Sequence, residues 1–584
     1  MQWDVPPDPT PLFRKPQDRL EDLYGRVKGD PSTKIQKRLW LEQLRGSGNH
    51  PIQRHEDALF VTHTLLTLIS RMISGKKVPK RADHAGQGLL AGYVSWAGGD
   101  LKALRDMQKV VEKYDWSSNQ GDLLRSIYKN LVAKTHRSIY GEYYTPDWLA
   151  EKVCLDVIDD AYIRKQLDNF ANGDPLSGII DPACGSGAFL YHAGKRLMGS
   201  RPVADAMEKG MLKEHELKEF VLRMICGIDI HPVAVEMAIA NMHRLLDRVD
   251  PDSIRIYQGD SLLIDHKRSA STMDAHFETI NTKEYLILQS PLKKTLRLPL
   301  SFVRKHNNTT KMENAAVSWT GLPQSILGPL SEGEKRHVRT SFETLKEIID
   351  DEGNGVWAWY IKNQAAPLLI SSGEKSGRIV ANPPWVRMNK IRDRGRANQM
   401  LELGKTYKVY VGGKKATSFD IASAFVLRSM HLYLAGDGKA GWVLPRAAII
   451  GGGQWEKMRK IIGPHSQVDL GSLAFPENAT SCYIVTGGKT TRHEFQKRKA
   501  RLSPEDTWAD ARRKIIQRKV VLKEFIPSPS DFTSKKKKKA TARQGAIITP
   551  SNLVIPDITR PKNGSTWIRT MESRHGAWKR MGTQ

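Results

Sequence analysis

The chain has 584 residues, of which 40% are hydrophobic, so it is long enough for several domains with sizeable apolar cores. It carries 91 Lys and Arg against 63 Asp and Glu, which gives a formal net charge of +28 and a pI near 9.7. So basic a chain points to a polyanionic partner, most simply nucleic acid, with a basic soluble protein that lacks such a partner as the alternative.

The sequence does not predict secretion or membrane insertion. Its start, Met1-Gln2-Trp3-Asp4, lacks the basic and then apolar pattern of a signal peptide. No apolar run approaches the roughly 18 residues of a membrane span. The 4 cysteines form no Cys-x-x-Cys pair, so neither a zinc site nor a disulfide framework is expected. A cytoplasmic protein without membrane contact fits these observations.

The first segment, residues 1–137, is expected to form an N-terminal helical domain. Apolar side chains recur at helical spacing between His55 and Met72, and two more helices are predicted over residues 101–114 and 123–133. The segment Gly-Glu-Tyr-Tyr-Thr-Pro follows and ends at Pro146. Thr145 is the expected N-cap of a helix that runs to Val157, because proline suits the first helical position.

Residues 179–189 predict a strand, a glycine turn and a helix. Glycines let the backbone approach a ligand closely, and the helix N-terminus then faces that ligand. The spacing lacks the third glycine of a dinucleotide-binding turn and the Lys-Ser/Thr ending of a phosphate loop, which disfavours both. An acidic residue opens the turn and suits an amine-bearing or cationic ligand such as S-adenosyl-L-methionine. The glycine turn comprises Asp181, Pro182, Ala183, Cys184, Gly185, Ser186 and Gly187.

Two further strands are predicted to end in an acidic residue. The second strand, residues 224–230, ends at Asp229 and Ile230, and the third, residues 254–261, ends near Asp260. In α/β nucleotide-binding folds an acid at the end of the second strand accepts from ribose hydroxyls, and Asp260 is placed to accept from an adenine amino group. Three such strand ends separated by helices predict a doubly wound, Rossmann-like α/β sheet with ligand groups along its carboxyl edge.

The run Asn382-Pro383-Pro384-Trp385, the target turn, follows a short apolar strand over residues 379–381. Two prolines in succession make a stiff turn that holds the Asn382 side-chain carbonyl and the Pro383 backbone carbonyl in place. These acceptors can take the two N–H groups of an amino group on an aromatic ring and free its lone pair. Trp385 offers a flat face to a flipped base. A Pro-Pro turn that caps a strand beside a packed Trp is the plainer alternative.

Five basic residues follow the target turn closely. A basic loop over a substrate and a solvated charged surface are the two interpretations of this segment. The five residues are Arg387, Lys390, Arg392, Arg394 and Arg396.

Together these motifs resemble those of the γ-type DNA adenine-N6 methyltransferases of bacterial restriction-modification and related phage-defence systems. The resemblance rests on Gly-x-Tyr-Tyr-Thr-Pro, Asp-Pro-Ala-Cys-Gly-Ser-Gly and Asn-Pro-Pro-Trp in that order, and it spans roughly residues 122–486. It implies that Tyr144, Thr145 and the glycine turn hold the methionine part of S-adenosyl-L-methionine. It places Asp229 on the ribose and Asp260 on the adenine of that cofactor.

The resemblance also implies the reaction and its partners. The target turn would bind an adenine flipped out of double-stranded DNA, and methyl transfer to N6 would need no metal. Other subunits of a restriction or defence system are further expected partners. The alternatives are a non-catalytic DNA-binding subunit with the same fold and a protein-glutamine methyltransferase, which shares an Asn-Pro-Pro-aromatic turn.

The motifs divide the chain into three expected parts. After the N-terminal helices, the methyltransferase core covers residues 138–488, with an insertion over 262–370 that ends in a helix at 355–370. A helix over 420–434 and strands over 440–445, 468–470 and 482–485 are expected to complete the core. Residues 489–584 form a basic C-terminal region, interpreted as a partial target-recognition element, with an unbroken lysine run at 535–539.

Overall fold

A computed structural model of the protein describes residues 3–45, 55–76, 92–117, 121–132, 144–262 and 366–520, apart from short gaps at 7, 248, 368, 372, 374, 392, 413–418, 476–479, 488–489 and 498–500. Beyond these ranges it describes residue 328, part of the segment 331–344 and short strands within 275–299 and 558–580. The predicted helix at 355–370 lies largely outside the described residues, and the lysine run at 535–539 lies wholly outside them.

The N-terminal part is helical, as predicted. Its helices are α1 Arg14–Val27, α2 Pro31–Arg45, α3 Glu56–Ile73, α4 Leu101–Lys113 and α5 Leu123–Leu131. Short 3₁₀ helices at Thr10–Phe13 and Gly92–Gly99 and a small parallel pair of strands, β1 Trp3–Asp4 and β2 Tyr114–Asp115, complete it. Helix α3 is buried along nearly its whole length, which makes it the centre of this part.

In the rest of the described chain, single helices or groups of two or three precede or separate the strands. These helices are α6 Asp147–Val157, α7 Asp160–Asn172, α8 Ala188–Met198, α9 Arg201–Glu208, α10 Glu214–Met224, α11 Pro232–Leu245, α12 Arg394–Thr406, α13 Ile421–Tyr433, α14 Ala447–Ile450, α15 Gln454–Ile462 and α16 Trp508–Lys514. Further 3₁₀ helices lie at Pro251–Ser253 and Met388–Lys390. The charged segment at 192–220 is divided among α8, α9 and α10, because Gly199 ends α8 and Ser200 caps α9.

Within the described residues, the main sheet has nine strands in the order β14-β13-β11-β12-β10-β9-β3-β4-β5. Their bounds are β3 Ile179–Asp181, β4 Ile225–Asp229, β5 Ile256–Gln258, β9 Ser376–Ala381, β10 Leu434–Pro445, β11 His465–Gly471, β12 Ser481–Thr486, β13 Thr491–Lys497 and β14 Ile515–Val520. Two small three-stranded sheets consist of β6 Ala275–Ile280, β7 Lys283–Gln289 and β8 Thr295–Pro299, and of β15 Ile558–Thr559, β16 Trp567–Arg569 and β17 Trp578–Arg580.

The strand order confirms the expected doubly wound α/β fold. Strands β5, β4, β3, β9 and β10 run parallel, and β12 is antiparallel to both β10 and β11. The chain leaves β3 toward β4 and β5 and later returns to β9 on the opposite side of β3. This reversal puts the topological switch point at the carboxyl ends of β3 and β9, where ligands bind in open α/β sheets.

Both faces of the sheet are covered. Successive residues of β9 point to opposite sides, so Val380 joins the apolar cluster around α6 and α8 while Ile379 and Ala381 join the cluster around α13. The N-terminal helices add a third apolar cluster that includes Val233 and Met237 of α11. They therefore pack directly on a helix of the main sheet.

Several predicted boundaries differ from those observed. Helix α6 begins after Pro146, which occupies the N-cap position without a side-chain bond, so the expected role of Thr145 as N-cap is wrong. Strand β10 begins at Leu434, before the predicted start at residue 440, and its register with β9 shifts between Leu434 and Lys439. Strands β13 and β14 continue the sheet beyond residue 488, where the sequence places the end of the core. The three-part division itself stays a prediction.

Among the described residues, no helix is both long and apolar enough to cross a membrane.

Candidate active site

A cavity opens at the switch point of the sheet, between the carboxyl ends of β3, β4, β5 and β9. It is lined by the sequence-predicted residues Tyr144, Thr145, Asp181, Pro182, Ala183, Cys184, Gly185, Asp229, Ile230, Asp260, Asn382, Pro383 and Pro384. Gly187 and Trp385 are the two predicted site residues that do not line it. The cavity thus brings together segments that are more than two hundred residues apart in sequence.

The glycine turn has the backbone conformation that its sequence suggests. Gly185 and Gly187 have φ angles of +52° and +87°, in the left-handed region that favours glycine. A Cβ on Gly187 would lie 2.9 Å from the Cβ of Ala238, so the absent side chain also lets α11 pack against the turn. Gly187 therefore shapes the site from behind without lining it.

Asp181 is the buried acid at the start of the turn. Its side chain is 1% exposed, and Oδ1 accepts from the Ala183 N–H at 3.0 Å. Oδ2 has no hydrogen-bond partner among the described residues. Burial raises the pKa of this carboxyl well above its usual range, the Ala183 bond lowers it in part, and the nearby Asp229 adds to the rise. A cationic ligand beside Oδ2 would relieve both the unmet bond and the buried charge.

Asp229, at the end of β4, fixes the backbone on both sides of the cavity. Its Oδ2 accepts from the Gly185 N–H and its Oδ1 from the His231 N–H, both at 2.8 Å. Burial raises the pKa of Asp229, and its bonds to backbone N–H groups offset only part of that rise. An ionised carboxylate has about four lone-pair sites, so both oxygens can still accept from ligand hydroxyls.

Asp260 forms an ion pair that the sequence did not reveal. Arg396, near the start of α12, donates from Nη1 to Asp260 Oδ2 at 2.6 Å and from Nη2 to Oδ1 at 3.4 Å. The Leu262 N–H also donates to Oδ1, at 3.0 Å. Both charged side chains line the cavity, so the acid expected on the cofactor adenine is tied to the segment that follows the target turn.

The target turn is joined directly to the cofactor side of the cavity. The Asn382 amide donates from Nδ2 to Thr145 Oγ1 at 3.2 Å, which turns the carbonyl end of that amide away from Thr145. Trp385 is half-buried, donates from its indole N–H to the Val443 carbonyl at 3.4 Å, and meets Phe475 edge-on with ring centroids 5.2 Å apart. The turn is therefore anchored at both ends.

The basic segment after the target turn is ordered where the structure describes it. Asp393 caps α12 by accepting from the Arg396 N–H at 2.7 Å, and Arg387 and Lys390 are exposed. An Asp at the N-cap position was a signal for this helix start. The spacing of the five basic residues does not show which of them pairs with an acid, because Asp260 lies 136 residues away from Arg396 in sequence.

His231 is another cavity residue that sequence reasoning missed. It lies at the N-cap of α11, where its Nδ1 accepts from the Ala234 N–H at 3.4 Å. Burial lowers the pKa of its imidazole to about 4, so the ring is neutral at pH 7. The His-Pro pair before a helical pattern was the available signal, since Pro232 occupies the first helical position.

The switch-point cavity and the strand order define the class: a doubly wound, Rossmann-like α/β fold with its ligand cavity at the carboxyl edge of the sheet. Residues 119–284, less than half of the chain, match the family model described as N-6 DNA Methylase. This match confirms the resemblance to N6 DNA methyltransferases for that segment. A search of curated proteins finds no match.

Solved structures of restriction-modification enzymes are similar at low identity. A nuclease-deletion mutant of the Type ISP enzyme LlaGI with a DNA substrate mimic shares 12% identity over 88% of this chain and 38% of that chain, with a TM-score of 0.47. The DrdV–DNA complex shares 12% over 84% and 43%, with a TM-score of 0.46. The EcoKI M protein shares 11% over 82% and 75%, with a TM-score of 0.29. The chain spans less than half the length of the first two. Because these TM-scores lie below 0.5, the fold assignment rests on the strand order.

Proposed function

We propose that the protein transfers a methyl group from S-adenosyl-L-methionine to the N6 amino group of adenine in double-stranded DNA, as part of a restriction-modification or phage-defence system. The observation that carries this proposal is the bond between Asn382 and Thr145. It joins a turn suited to an aromatic amino group to a cavity suited to an amine-bearing cofactor. Other subunits of such a system are proposed as further partners.

The chemistry of the cavity fits the cofactor. The buried Asp181 oxygen without a described partner suits the ammonium of the methionine part. Asp229 can accept from ribose hydroxyls, and Asp260 from an adenine amino group, while Tyr144 and Thr145 border the methionine end. When bound, S-adenosyl-L-methionine supplies an electrophilic methyl group on a sulfonium.

The target turn supplies the other half of the chemistry. The Asn382 side-chain carbonyl and the Pro383 backbone carbonyl accept the two N–H groups of an adenine amino group. Its lone pair then no longer delocalises fully into the ring, and the nitrogen becomes a better nucleophile. The Thr145 hydroxyl holds the Asn382 amide in the orientation that this requires. Positioning and fixed dipoles carry the reaction, so no protein nucleophile takes part.

Base flipping is proposed to place the adenine at the turn. Removing a base from the duplex takes a few kcal/mol, and stacking on an aromatic side chain returns roughly 1–3 kcal/mol. Trp385 is the proposed stacking partner, and its anchored indole is already held in one orientation. Phosphate contacts from exposed basic residues such as Arg387 and Lys390 would add the salt-dependent part of binding.

Methyl transfer can be tested with the full chain, radiolabelled S-adenosyl-L-methionine and double-stranded DNA. A second assay analyses DNA recovered from cells that express the protein, since a required partner subunit can be present in those cells. After digestion to nucleosides, mass spectrometry is expected to find N6-methyladenine. 5-Methylcytosine as the product, or label on protein glutamine, would refute the proposal. Cofactor binding without any transfer would favour a non-catalytic DNA-binding subunit.

A further inference from the structure

Six polar side chains form a buried cluster behind the cavity, at the contact between the N-terminal helices and the main sheet. None is more than 6% exposed. Two belong to the start of the N-terminal helix α5, and the others surround the cavity from α6, the glycine turn and α11. The members of this buried polar cluster are Asp122, Arg125, Asp147, Ser186, Asn241 and Arg244.

Arg125 holds the segment that bears Thr145. Its Nη1 donates to the Thr145 carbonyl at 2.6 Å, and its Nη2 donates to Asp147 Oδ2 at 2.9 Å. The same Thr145 presents its hydroxyl to the Asn382 amide. The Arg125 guanidinium therefore binds the carbonyl of the same residue whose hydroxyl orients the target turn.

Asp122 holds the glycine turn in the same way. Its Oδ2 accepts from the Ser186 hydroxyl, and its Oδ1 accepts from Asn241 Nδ2 at 2.7 Å. Asn241 Nδ2 also donates to the Ser186 carbonyl at 2.8 Å, and Arg244 fixes the other end of that amide by donating to Asn241 Oδ1 at 2.8 Å. Ser186 is thus clamped through both its side chain and its backbone.

Aromatic contacts from α5 reach the same edge of the cavity. Tyr128 packs on Tyr144 with ring centroids 5.3 Å apart and on His231 at 6.5 Å. Both partners of Tyr128 line the cavity. The start and the middle of α5 therefore touch the cavity wall at separate points.

Burying charged side chains where two parts of a protein meet is unfavourable in free energy unless the charges are well paired. Burial by itself raises the pKa of Asp147, but the Arg125 charge and the His192 bond outweigh it and hold the pKa at about 2. Burial raises the pKa of Asp122, and Arg125 offsets only part of that rise. Well-packed apolar residues would give similar or greater stability at such a contact. What the polar groups add is direction, since their bonds to Thr145 and Ser186 fix individual atoms of two residues that line the cavity.

We propose that Asp122 and Arg125 are positioning residues for methyl transfer, so that helix α5 completes the cofactor and target-base site. This inference rests on the function proposed above. Neither residue lines the cavity, and each acts through one that does: Arg125 through Thr145, and Asp122 through Ser186.

The chain offers a matched control at the same contact. Arg71 of α3 donates to Glu236 Oε1 of α11 at 2.9 Å, and Lys76 lies 3.0 Å from Glu236 Oε2. This pair also joins the N-terminal helices to α11 and is also buried, but neither Arg71 nor Glu236 lines the cavity. A purely structural role of Arg125 predicts that Arg125→Met and Arg71→Met behave alike.

The experiment compares Arg125→Met, Arg125→Lys and Arg71→Met in the full chain, by thermal melting, by calorimetry with S-adenosyl-L-methionine and by methylation kinetics. Both Met variants are expected to melt at lower temperature. At a temperature where all are folded, kcat of Arg125→Met should fall about 10²-fold, as for small misplacements of reacting groups. Arg71→Met should keep kcat, and Arg125→Lys should recover part of it.

Asp122 gives a second, milder pair of variants should Arg125→Met fail to fold. Asp122→Asn keeps the shape and one acceptor and is expected to retain most activity, whereas Asp122→Ala releases Ser186 and should weaken cofactor binding about tenfold. The proposal would be overturned if Arg125→Met or Asp122→Ala had the same kcat and cofactor affinity as the wild type. It would also be overturned if Arg71→Met lost as much kcat and cofactor affinity as Arg125→Met. If the wild type binds cofactor but methylates nothing, the proposed function fails, and the affinity comparison still decides the positioning role.

Discussion

The cofactor side and the target side of the cavity are held in different ways. On the cofactor side, Asp181 and Ser186 are buried, Asp229 is partly buried, and all three are bonded to backbone groups or to the buried polar cluster. On the target side, the half-buried Trp385 indole anchors the turn, and the partly buried Arg396–Asp260 pair holds the start of α12.

This contrast matches what each side must do. A cofactor of constant shape can be met by a rigid wall whose polar groups are already oriented. A flipped base enters from a duplex, so the wall that receives it benefits from a partly exposed contact such as the Arg396–Asp260 pair, which can rearrange. Asn382 and Arg396 connect the two sides through side-chain bonds, to Thr145 and Asp260 respectively.

The largest effect is expected from Asn382→Ala, which removes an acceptor for the target amino group together with the bond to Thr145. Deleting one preorganised transition-state hydrogen bond lowers rates about 10²–10³-fold, and the same fall in kcat is expected here. Cofactor affinity should be kept, because Asp181 and Asp229 lie on other strands. Steady-state methylation and calorimetry check both halves, with exposed Asn389→Ala as the control. Full activity of Asn382→Ala would remove the turn from the mechanism.

Asp229→Ala removes a carboxylate from the cofactor side of the cavity instead. The variant loses acceptors for the Gly185 and His231 N–H groups as well as any ribose contact. Loss of hydrogen bonds to a charged group costs about 1.5–3 kcal/mol, so cofactor affinity should fall roughly tenfold to a hundredfold. Calorimetry with S-adenosyl-L-methionine measures this fall, and Asp252→Ala, at an exposed acid before β5, is the control. An unchanged Kd would mean that the cofactor binds elsewhere.

Arg396→Gln removes the ion pair that joins the target side of the cavity to Asp260 on the cofactor side. Asp260 keeps its bond from the Leu262 N–H but loses its charged partner, and α12 loses its link to the cofactor side. A roughly fivefold to tenfold loss of cofactor affinity is expected, since the pair is only partly buried. DNA affinity measured with S-adenosylhomocysteine present should fall as well. Arg394→Gln, exposed at the start of the same helix, should change neither, and equal effects of the two variants would contradict a specific role.

The smallest effect concerns pH and His231 on the cofactor side. Its folded-state pKa is about 4, below the usual 6.5, because burial disfavours the charged ring. Between these values the unfolded chain binds more protons, so stability contributed by neutral His231 is full above pH 6.5 and is lost as the pH falls toward 4. Melting temperatures of wild type and His231→Asn, which keeps a capping side chain, should therefore converge or cross as the pH is lowered over this range. Parallel curves would mean that the ring titrates normally.

Local patterns were sufficient to predict the central strands of the main sheet and many of the residues that line its cavity. The glycine turn, the acids at Asp229 and Asp260, and the Pro-Pro turn each carry their signal within a few residues. The carboxyl ends of parallel strands must meet at one edge, so these signals also placed the groups together. The roles assigned to the individual residues stay predictions.

What sequence reasoning missed depends on pairs of distant polar residues. Arg396 was one of five similar basic residues, and only the fold selects it for Asp260. Arg125 lies within an ordinary amphipathic helix, and nothing near it in sequence indicates that it will be buried. Strands β13 and β14 were assigned to a basic tail because their charged residues hide the apolar pattern of an edge of the sheet.

One contact of the buried polar cluster has a consequence for synthesis. The Pro504 carbonyl accepts from the Asp147 N–H at 2.8 Å and from Arg125 Nη2 at 3.4 Å, across 379 residues of chain in the latter case. A chain leaving the ribosome N-terminus first exposes Arg125 and Asp147 long before it delivers Pro504. The wall behind Thr145 is therefore finished only after residue 504 has been synthesised, and a nascent or truncated chain that stops before residue 504 lacks this last acceptor.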